Sequence, residues 1–234
     1  MLVCVWRRCA KCYKLLLADL SQDQQVGVSF MIIDLNSLST NESYHLLTQV
    51  IVPRPIAWVL TENQDSESYN LAPFSFFNAV CSDPPLIMLS IGQRPDGRQK
   101  DTLDNIQRSK KVTIHIPSVE HAAEVTESSR SREPNDSEIN AQNIKLVDFE
   151  GFALPRIENS KIALAGELHL HQTIGRQQQN LVFIELKTAY LESSIVSKSD
   201  QRLKVDHLGL DPLGRLGGSD YWVNGHSLTI KRPM

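Results

Sequence analysis

The sequence has no marked excess of charge of either sign. Its 24 Lys and Arg residues nearly balance 27 Asp and Glu residues, which gives a net charge of -3. Such a balance provides no general attraction to nucleic acid or to acidic membranes, although two or three basic side chains suffice to bind one phosphate. Long apolar runs are also missing, since none approaches the roughly 20 residues of a membrane-spanning helix. We therefore expect neither a nucleic-acid partner nor a membrane partner.

Cysteine is scarce and is not arranged as a disulfide framework. Cys9 and Cys12 have the spacing of a redox pair or half a zinc site, but no second Cys-x-x-Cys and no His-x-x-x-His completes such a site. The cysteines therefore look incidental, and a reducing, cytoplasmic location fits them best. The four positions are Cys4, Cys9, Cys12 and Cys81.

Several common catalytic signatures are absent. The chain has no Gly-x-Gly-x-x-Gly, no Gly-x-x-x-x-Gly-Lys and no His-Glu-x-x-His, which argues against a Rossmann cofactor site, a P-loop and a zinc protease site. His169 and His171 fall on one face of a predicted strand, but no third ligand accompanies them. We therefore expect no metal site.

The first 30 residues differ from the rest of the chain. Basic residues interrupt their short apolar stretch, so they do not resemble a signal peptide. Patterned sequence begins at Met31. We expect residues 1–30 to be a disordered or non-native extension and residues 31–234 to form a single domain, for which the chain is long enough.

The patterns after Met31 predict many short strands and few helices. No alternation of strand and helix indicates a parallel sheet, so we expect a mainly β fold, an antiparallel barrel with peripheral short helices. The segment Ser128–Glu138 is predicted to be an exposed loop. Helices are predicted near Glu42–Leu47 and over Asp101–Lys110 and Val119–Glu127. The predicted strands are Gln49–Thr61 (interrupted by prolines), Asn70–Val80, Leu86–Ile91, Lys111–Ile116, Lys161–Gln172, Leu181–Leu191 and Tyr221–Ile230.

The segment Lys100-Asp101-Thr102 opens a predicted helix and allows two interpretations. A helix N-terminus carries free N–H groups and a partial positive charge, to which Lys100 adds a full charge and Thr102 a hydroxyl donor, so the group fits a phosphate. Alternatively, Asp101 simply caps the helix. Asp101 and Asp104 would oppose an anion, and the residues alone leave both interpretations open.

The segment Asn70–Asn78 combines aromatic, small and polar side chains. Its phenylalanines fit a barrel core, yet Ala72 and Pro73 form a narrow backbone beside the polar Ser75, against which a flat ring could receive N–H and C=O contacts. Arg54 stands between two prolines. It is either exposed at a strand edge or buried with an anionic partner, because an unpaired buried arginine is costly.

Five ordered blocks of the chain carry a family resemblance. They are Pro53–Val59, Asn70–Pro85, Arg94-x-x-Gly97-x-x-Lys100-Asp101-Thr102, Arg215-Leu216-Gly217-Gly218-x-x-Tyr221 and Lys231-Arg232-Pro233. From about Met31 to Pro233 the chain resembles the flavin reductase-like family, in the branch that includes flavoredoxins and the reductase components of two-component monooxygenases. Several matching blocks in the same order identify the family more specifically than any single block does.

The resemblance implies an FMN-binding split β-barrel that holds FMN non-covalently at a homodimer interface. It also implies roles for individual residues. The implied cofactor-binding residues are Arg54, Lys100 and Thr102 at the phosphate and ribityl end, Asn70, Ala72, Pro73, Phe74 and Ser75 along the isoalloxazine, Ser90 and Arg94 as further contributors, and Tyr221 closing the site.

The chain departs from the family pattern in places. Trp58 stands where a small residue is common, and Leu60 where Ser or Thr is common. The turn Gln64-Asp65-Ser66 lacks the glycine that is common there. The proline-rich segment that usually precedes the next strand is reduced to Leu154-Pro155-Arg156. These departures bear on substrate preference and nicotinamide access more than on FMN binding.

The activity implied by the resemblance is that of an NAD(P)H:flavin oxidoreductase. NADH or NADPH would reduce FMN, and the electrons would pass to free flavin or to a partner oxygenase. No catalytic acid or base is expected, because the chemistry belongs to the flavin. Two alternatives remain open: a flavoredoxin-like electron carrier that is fed by a redox protein, and a flavin-binding module without turnover.

Overall fold

The computed structural model describes residues 31–64, 68–94, 96–133, 136–199, 202–223 and 225–230. The predictions for residues 1–30, for the cysteines at 4, 9 and 12, for positions 65 and 66 and for the closing block 231–233 lie outside these residues. The chain divides into two units, Met1–Ser39 and Thr40–Met234. In the first unit, a 3-10 turn at Leu35–Ser37 is capped by Asp34, whose Oδ1 accepts the Asn36 N–H at 3.0 Å.

The second unit consists of short helices and mostly short strands. The helices are α1 (Thr40–Val50), α2 (Asp101–Ser109), α3 (Ala122–Glu127), α4 (Glu138–Gln142) and α5 (His207–Leu210), with 3-10 turns at Val119–His121 and Ser193–Ile195. The strands are β1 (Arg54–Pro55), β2 (Ala57–Glu62), β3 (Tyr69–Phe74), β4 (Phe77–Ser82), β5 (Pro85–Ile91), β6 (Lys111–His115), β7 (Leu146–Val147), β8 (Arg156–Ile157), β9 (Ile162–Ile174), β10 (Gln179–Leu191), β11 (Val196–Ser199), β12 (Arg202–Val205), β13 (Gly214–Arg215) and β14 (Tyr221–Trp222).

One seven-stranded antiparallel sheet organises the unit, in the order β3-β2-β6-β9-β10-β5-β4. Its two outermost strands, β3 and β4, are consecutive in the chain. Phe74 pairs with Ala57 of β2, and Phe77 pairs with Leu89 of β5, so the chain passes from one end of the strand order to the other within two residues. The predicted single strand Asn70–Val80 is therefore two strands. The mainly β, antiparallel split-barrel prediction is confirmed.

Strand β2 separates two hydrophobic cores. Because side chains alternate along a strand, Ala57 and Val59 join the core inside the sheet, while Trp58 and Leu60 join a second core on the other face. All four side chains are buried. The second core also receives Val125 of α3. Trp58 and Leu60, where the sequence departs from the family pattern, therefore lie in this second core.

Helix α2 closes one end of the inner core. Leu103 and Ile106, three residues apart, are fully buried there, as their spacing predicted. The next strand, β6, begins two residues after the helix ends. The packing of these two side chains holds α2 against the sheet, so the first residues of the helix have a defined position relative to it.

Three further sequence predictions need correction. The strand predicted over Gln49–Thr61 begins later, because Gln49 and Val50 belong to α1 and strand structure starts at Arg54. The segment Ser128–Glu138 is not simply an exposed loop, because Ser128, Ser137 and Glu138 are buried and Glu138 begins α4. The final strand is shorter than Tyr221–Ile230, since β14 ends at Trp222. In the part of the chain that the structure describes, no helix has the length and apolarity needed to span a membrane.

Candidate functional site

Two adjoining clefts lie where β3, β5, β10 and the start of α2 meet. The larger cleft has a volume of about 720 Å³, and the smaller has about 350 Å³, sizes in the range of small-molecule sites. Both are lined by Pro73, Phe74, Gln93, Arg94 and Lys100. The larger cleft alone also takes in Ser75 and Ser90, and the smaller takes in Asn70, Ala72 and Thr102. Nine of the eleven residues that the family resemblance implied therefore line this pair of clefts.

The free edge of β3 forms part of both clefts. The Ser137 hydroxyl donates to the Tyr69 carbonyl at 2.6 Å, and the Leu71 N–H donates to Glu138 Oε2 at 2.9 Å. By the alternation of a strand, Pro73 is the next residue on this edge. Proline has no N–H, so this position offers a carbonyl oxygen alone to a ligand in the clefts.

The start of α2 is the basic end of the smaller cleft. Lys100 is the N-cap residue, and its side chain makes no capping hydrogen bond. Its Nζ lies 5.4 Å from the centre of the Phe74 ring. Burial lowers the pKa of the Lys100 ammonium, Arg94 adds to this effect, and no acidic group opposes it. Lys100 is therefore a partly buried cation without a carboxylate partner among the described residues.

Thr102 and Asn70 lie beside this cation. Both side chains are buried, and Asn70 Nδ2 donates to Thr102 Oγ1 at 2.9 Å. That hydrogen bond leaves the Thr102 hydroxyl proton available for another acceptor. The amide also ties β3 to α2, which fixes the distance between the strand edge and the helix N-terminus.

Asp101 does not cap α2, contrary to one of the two interpretations of this segment. It is the first helical residue, and its carboxylate forms an ion pair with Arg94. Arg94 Nη1 also donates to the Arg132 carbonyl at 3.1 Å. Asp101 is thus paired with Arg94 and not with Lys100. The N-cap residue of α2 provides no side-chain cap for the first N–H groups of the helix.

Arg54 lies outside the lining of the two clefts. It is 6% exposed, and its Nη1 donates to the carbonyls of Thr48 and Ile51 at 2.6 and 2.9 Å. Its Nη2 donates to the Leu216 carbonyl at 2.9 Å, and its Nε lies 3.4 Å from Ser75 Oγ. Burial, and secondarily Arg215, lowers the pKa of Arg54. Arg54 thus ties α1 to β13 and reaches the clefts through Ser75.

Tyr221 is also outside both clefts. Its hydroxyl bonds to Thr126 Oγ1 at 2.9 Å, and the Arg215 guanidinium stacks 4.7 Å from its ring centre. Its ring packs against the second core. The structure therefore does not bring Tyr221 together with the other implied residues within one chain.

The clefts contain side chains that the sequence did not single out. Gln177 and Gln179, from the β9–β10 hairpin, line the larger cleft, and Gln179 Nε2 donates to Ser90 Oγ at 2.9 Å. Glu138 lines the smaller cleft, and burial raises the pKa of its carboxyl. No local pattern marks these residues, because their proximity depends on the sheet order and on the position of α4.

Ser128 connects the second core to the smaller cleft. Trp58 Nε1 donates to Ser128 Oγ at 2.9 Å, and the same hydroxyl donates to the Val125 carbonyl at 3.0 Å. Ser128 lines the smaller cleft. Trp58 therefore affects the site indirectly, by holding the segment that follows α3.

The paired histidines of β9 contact neighbouring polar side chains. His171 Nδ1 lies 3.1 Å from Gln107 Nε2, and its Nε2 lies 3.0 Å from Asn180 Oδ1. His169 Nδ1 lies 3.4 Å from Glu185 Oε2. Within the described residues, no group of three or more His, Cys, Asp or Glu side chains could hold a metal ion.

Comparisons with known proteins agree with this fold. The model of the flavin reductase like domain matches residues 50–203. The uncharacterised protein YwrF of Bacillus subtilis (strain 168) is 30% identical over 206 residues, which cover 86% of this chain and 98% of YwrF. The chain belongs to the flavin reductase-like family, as the ordered blocks predicted.

Two solved structures are similar over most of their length. Nitrilotriacetate monooxygenase component B from Bacillus cereus has a TM-score of 0.79 and 26% identity, with 86% of this chain and 99% of that chain covered. The 2-nitrobenzoate 2-nitroreductase NbaA of Pseudomonas fluorescens has a TM-score of 0.77 and 27% identity, with 87% and 96% covered.

Proposed function

We propose that this protein is an FMN-dependent oxidoreductase that takes electrons from NADH or NADPH. The observation that carries the proposal is Lys100, a partly buried ammonium at the N-terminus of α2. Among the described residues it has no carboxylate partner, and the N-cap makes no side-chain capping bond. A phosphate there would receive a full positive charge and free backbone N–H groups. The clefts beside it have room for the rest of a mononucleotide.

In the proposed orientation, the FMN phosphate lies at Lys100 and Thr102. The isoalloxazine ring lies along the β3 edge and receives contacts from the backbone of the Pro73 region and from nearby hydroxyls. Arg54 contributes by positioning Ser75, and Arg94 contributes while paired with Asp101. The ring-lining residues in this proposal are Asn70, Ala72, Pro73, Phe74, Ser75 and Ser90.

The protein's part in the reaction is binding and orientation. Bound FMN would supply the two-electron chemistry of hydride transfer from a dihydronicotinamide. The side chains of the larger cleft would hold the two rings near each other. No side-chain acid or base is required.

We further propose that a homodimer completes the site. Helix α1 exposes Tyr44, Leu47 and Val50, and β4 exposes Val80. Tyr44 lines the larger cleft and its ring lies 6.3 Å from that of Phe76, so this apolar surface borders the cleft. A second copy packed on it would bury the ring and could bring its own Tyr221 to the site.

Free flavin or a partner oxygenase is the proposed acceptor. The similarity to a protein described as a monooxygenase component supports the oxygenase. The similarity to a nitroreductase supports direct reduction of a small aromatic acceptor as a second candidate. A reduced nicotinamide donor also agrees with a cytoplasmic location. A flavoredoxin-like carrier, fed by another redox protein, would bind FMN in the same way.

Anaerobic mixing of the FMN-loaded protein with NADH or NADPH tests the reductase role. We expect the visible flavin absorbance to bleach with at least one of the two donors. A protein that binds FMN but is bleached by neither donor, and only by a reduced redox protein, is a carrier. A protein bleached by neither, and by no redox protein, is a flavin-binding module.

A further inference from the structure

The β9–β10 hairpin supplies an uncharged polar wall to the larger cleft. Gln177 and Gln179 come from the hairpin, and Gly92 and Gln93 follow β5 beside it. The charged residues of the same cleft, Arg94 and Lys100, lie instead at the start of α2 and in the loop before it. The cleft therefore has a cationic end and a neutral, amide-lined side.

Gln179 is the most constrained of these amides. Its Nε2 donates to Ser90 Oγ at 2.9 Å. The next residue is paired with Ile91 of β5, and its Nδ2 donates to the Ile91 carbonyl at 3.2 Å, so the backbone at Gln179 is anchored on both sides. Ser90 engages one N–H of this amide, which leaves the Gln179 amide its oxygen and a second N–H with which to bind a ligand.

Gly92 leaves that oxygen uncovered. A Cβ at position 92 would lie 3.8 Å from Gln179 Oε1 and 3.9 Å from its Nε2, in van der Waals contact with the amide. A glycine here, where its backbone needs no positive φ, therefore keeps the acceptor open to the cleft.

A neutral acceptor suits a carboxamide N–H₂ better than a phosphate or a carboxylate. Of the two rings in the proposed reaction, the isoalloxazine lies on the β3 side, with its phosphate at Lys100. The second ring must then approach from the side that β3 does not cover, which is the side of the hairpin. The reduced nicotinamide carries a carboxamide at the edge of its ring.

We propose that Gln179, held by Ser90, binds the carboxamide N–H₂ of the reduced nicotinamide and so positions its ring in the larger cleft. This assignment rests on the proposed function. It makes Gln179 a binding residue for the nicotinamide ring, which NADH and NADPH share, rather than for FMN. One hydrogen bond of this kind contributes about 0.5–1.5 kcal/mol, so its loss weakens donor binding by about two- to twelvefold.

The test combines a variant with a modified donor. FMN-loaded wild type, Gln179→Leu and the control Gln172→Leu, an exposed glutamine of β9 on the same hairpin, are reduced anaerobically in single turnovers. The donor Kd comes from the saturation of the reduction rate. Each protein is also reduced with the 3-acetylpyridine analogue of the donor, which has a carbonyl but no N–H₂ group. FMN affinity is titrated separately for all three.

We expect Gln179→Leu to raise the donor Kd about fivefold and to change FMN affinity less than that, through loss of the Ser90 contact, whereas Gln172→Leu should change neither. Wild type should bind the analogue more weakly than it binds the natural donor. The Gln179→Leu protein should bind the analogue at least as tightly as the natural donor. Three results would overturn the assignment while leaving the reductase role intact. They are an unchanged donor Kd in Gln179→Leu, an equal loss of affinity for the natural donor and for the analogue, and a loss of FMN affinity in place of donor affinity. Wild type that is bleached by neither nicotinamide overturns both.

Discussion

Lys100 is the side chain on which the site depends most. It is partly buried, its pKa is lowered chiefly by burial, and its Nζ lies 5.4 Å from the centre of the Phe74 ring. Holding such a cation without an anion costs free energy that a bound phosphate would recover. Asp101, which could have neutralised it, is paired with Arg94 instead.

Replacing Lys100 by Met should weaken FMN binding by at least tenfold, because a charge-assisted hydrogen bond contributes about 1.5–3 kcal/mol. Lys100→Arg keeps the charge and should retain most of the affinity. Fluorescence titration of FMN onto the stripped proteins measures both. Equal affinities for Lys100→Met and wild type would show that the phosphate binds elsewhere.

Glu138 is a buried carboxyl that the sequence placed in a loop. It accepts the Leu71 N–H at the floor of the smaller cleft. Glu138→Leu should lower the free energy of unfolding by about 1–3 kcal/mol, because that buried N–H loses its partner, whereas Glu138→Gln keeps an acceptor and should lose less. Urea unfolding measures the difference. A Gln variant as unstable as the Leu variant would contradict this role.

The secondary structure shows what the sequence could and could not predict. Alternation along β9 and β10 and the i, i+3 spacing in α2 are local patterns, and the strands and helix they predicted are present. The break between β3 and β4 was missed, because it depends on pairing with β2 on one side and β5 on the other. The positions of Gln179 and Glu138 in the clefts were missed for the same reason, because both residues lie far along the chain from β3 and the start of α2.

Helix α1 allows a test of the proposed dimer. Val50 is 62% exposed on the apolar surface that borders the larger cleft, and Leu203 on β12 is 54% exposed outside that surface. Val50→Glu should shift the protein towards monomer and weaken FMN binding, because a charge would be buried at the interface. Leu203→Glu should do neither. Sedimentation equilibrium reports the mass, and a monomeric wild type with FMN bound would reject the dimer.

The stability of the whole molecule should depend on one buried histidine. Burial lowers the pKa of His115 to about 3. The Ile157 N–H donates to its Nε2 at 3.0 Å, and its Nδ1 bonds the Trp58 carbonyl at 3.1 Å, an arrangement that fits the neutral ring. Since the unfolded imidazole has a pKa near 6.5, the unfolded chain binds more protons than the folded chain between pH 6.5 and 3.

The free energy of unfolding should therefore fall as the pH drops from 6.5 towards 3, by about 1.4 kcal/mol per pH unit from this group, and the group should contribute no pH dependence above pH 7 or so. His115→Gln cannot titrate and should show a shallower slope between pH 6 and 4. Urea midpoints at several pH values measure both slopes. Parallel slopes would mean that His115 is not the group responsible.

The whole unit explains why the clefts suit a flavin. The split sheet leaves the β3 edge open at Pro73, α2 brings a cation to one end of that edge, and the β9–β10 hairpin brings amides to the other side. The family blocks predicted the first two features and not the third. A flavin mononucleotide, with a charged phosphate at one end and a flat ring system at the other, would match the cation at one end of the clefts and the open strand edge beside it.

The absorbance spectrum of protein purified without added flavin tests this account most directly. We predict a visible flavin spectrum, with FMN released in equimolar amount with the chain on denaturation, and loss of that flavin in the Lys100→Met protein. A colourless protein that takes up no FMN when the cofactor is supplied would contradict the account.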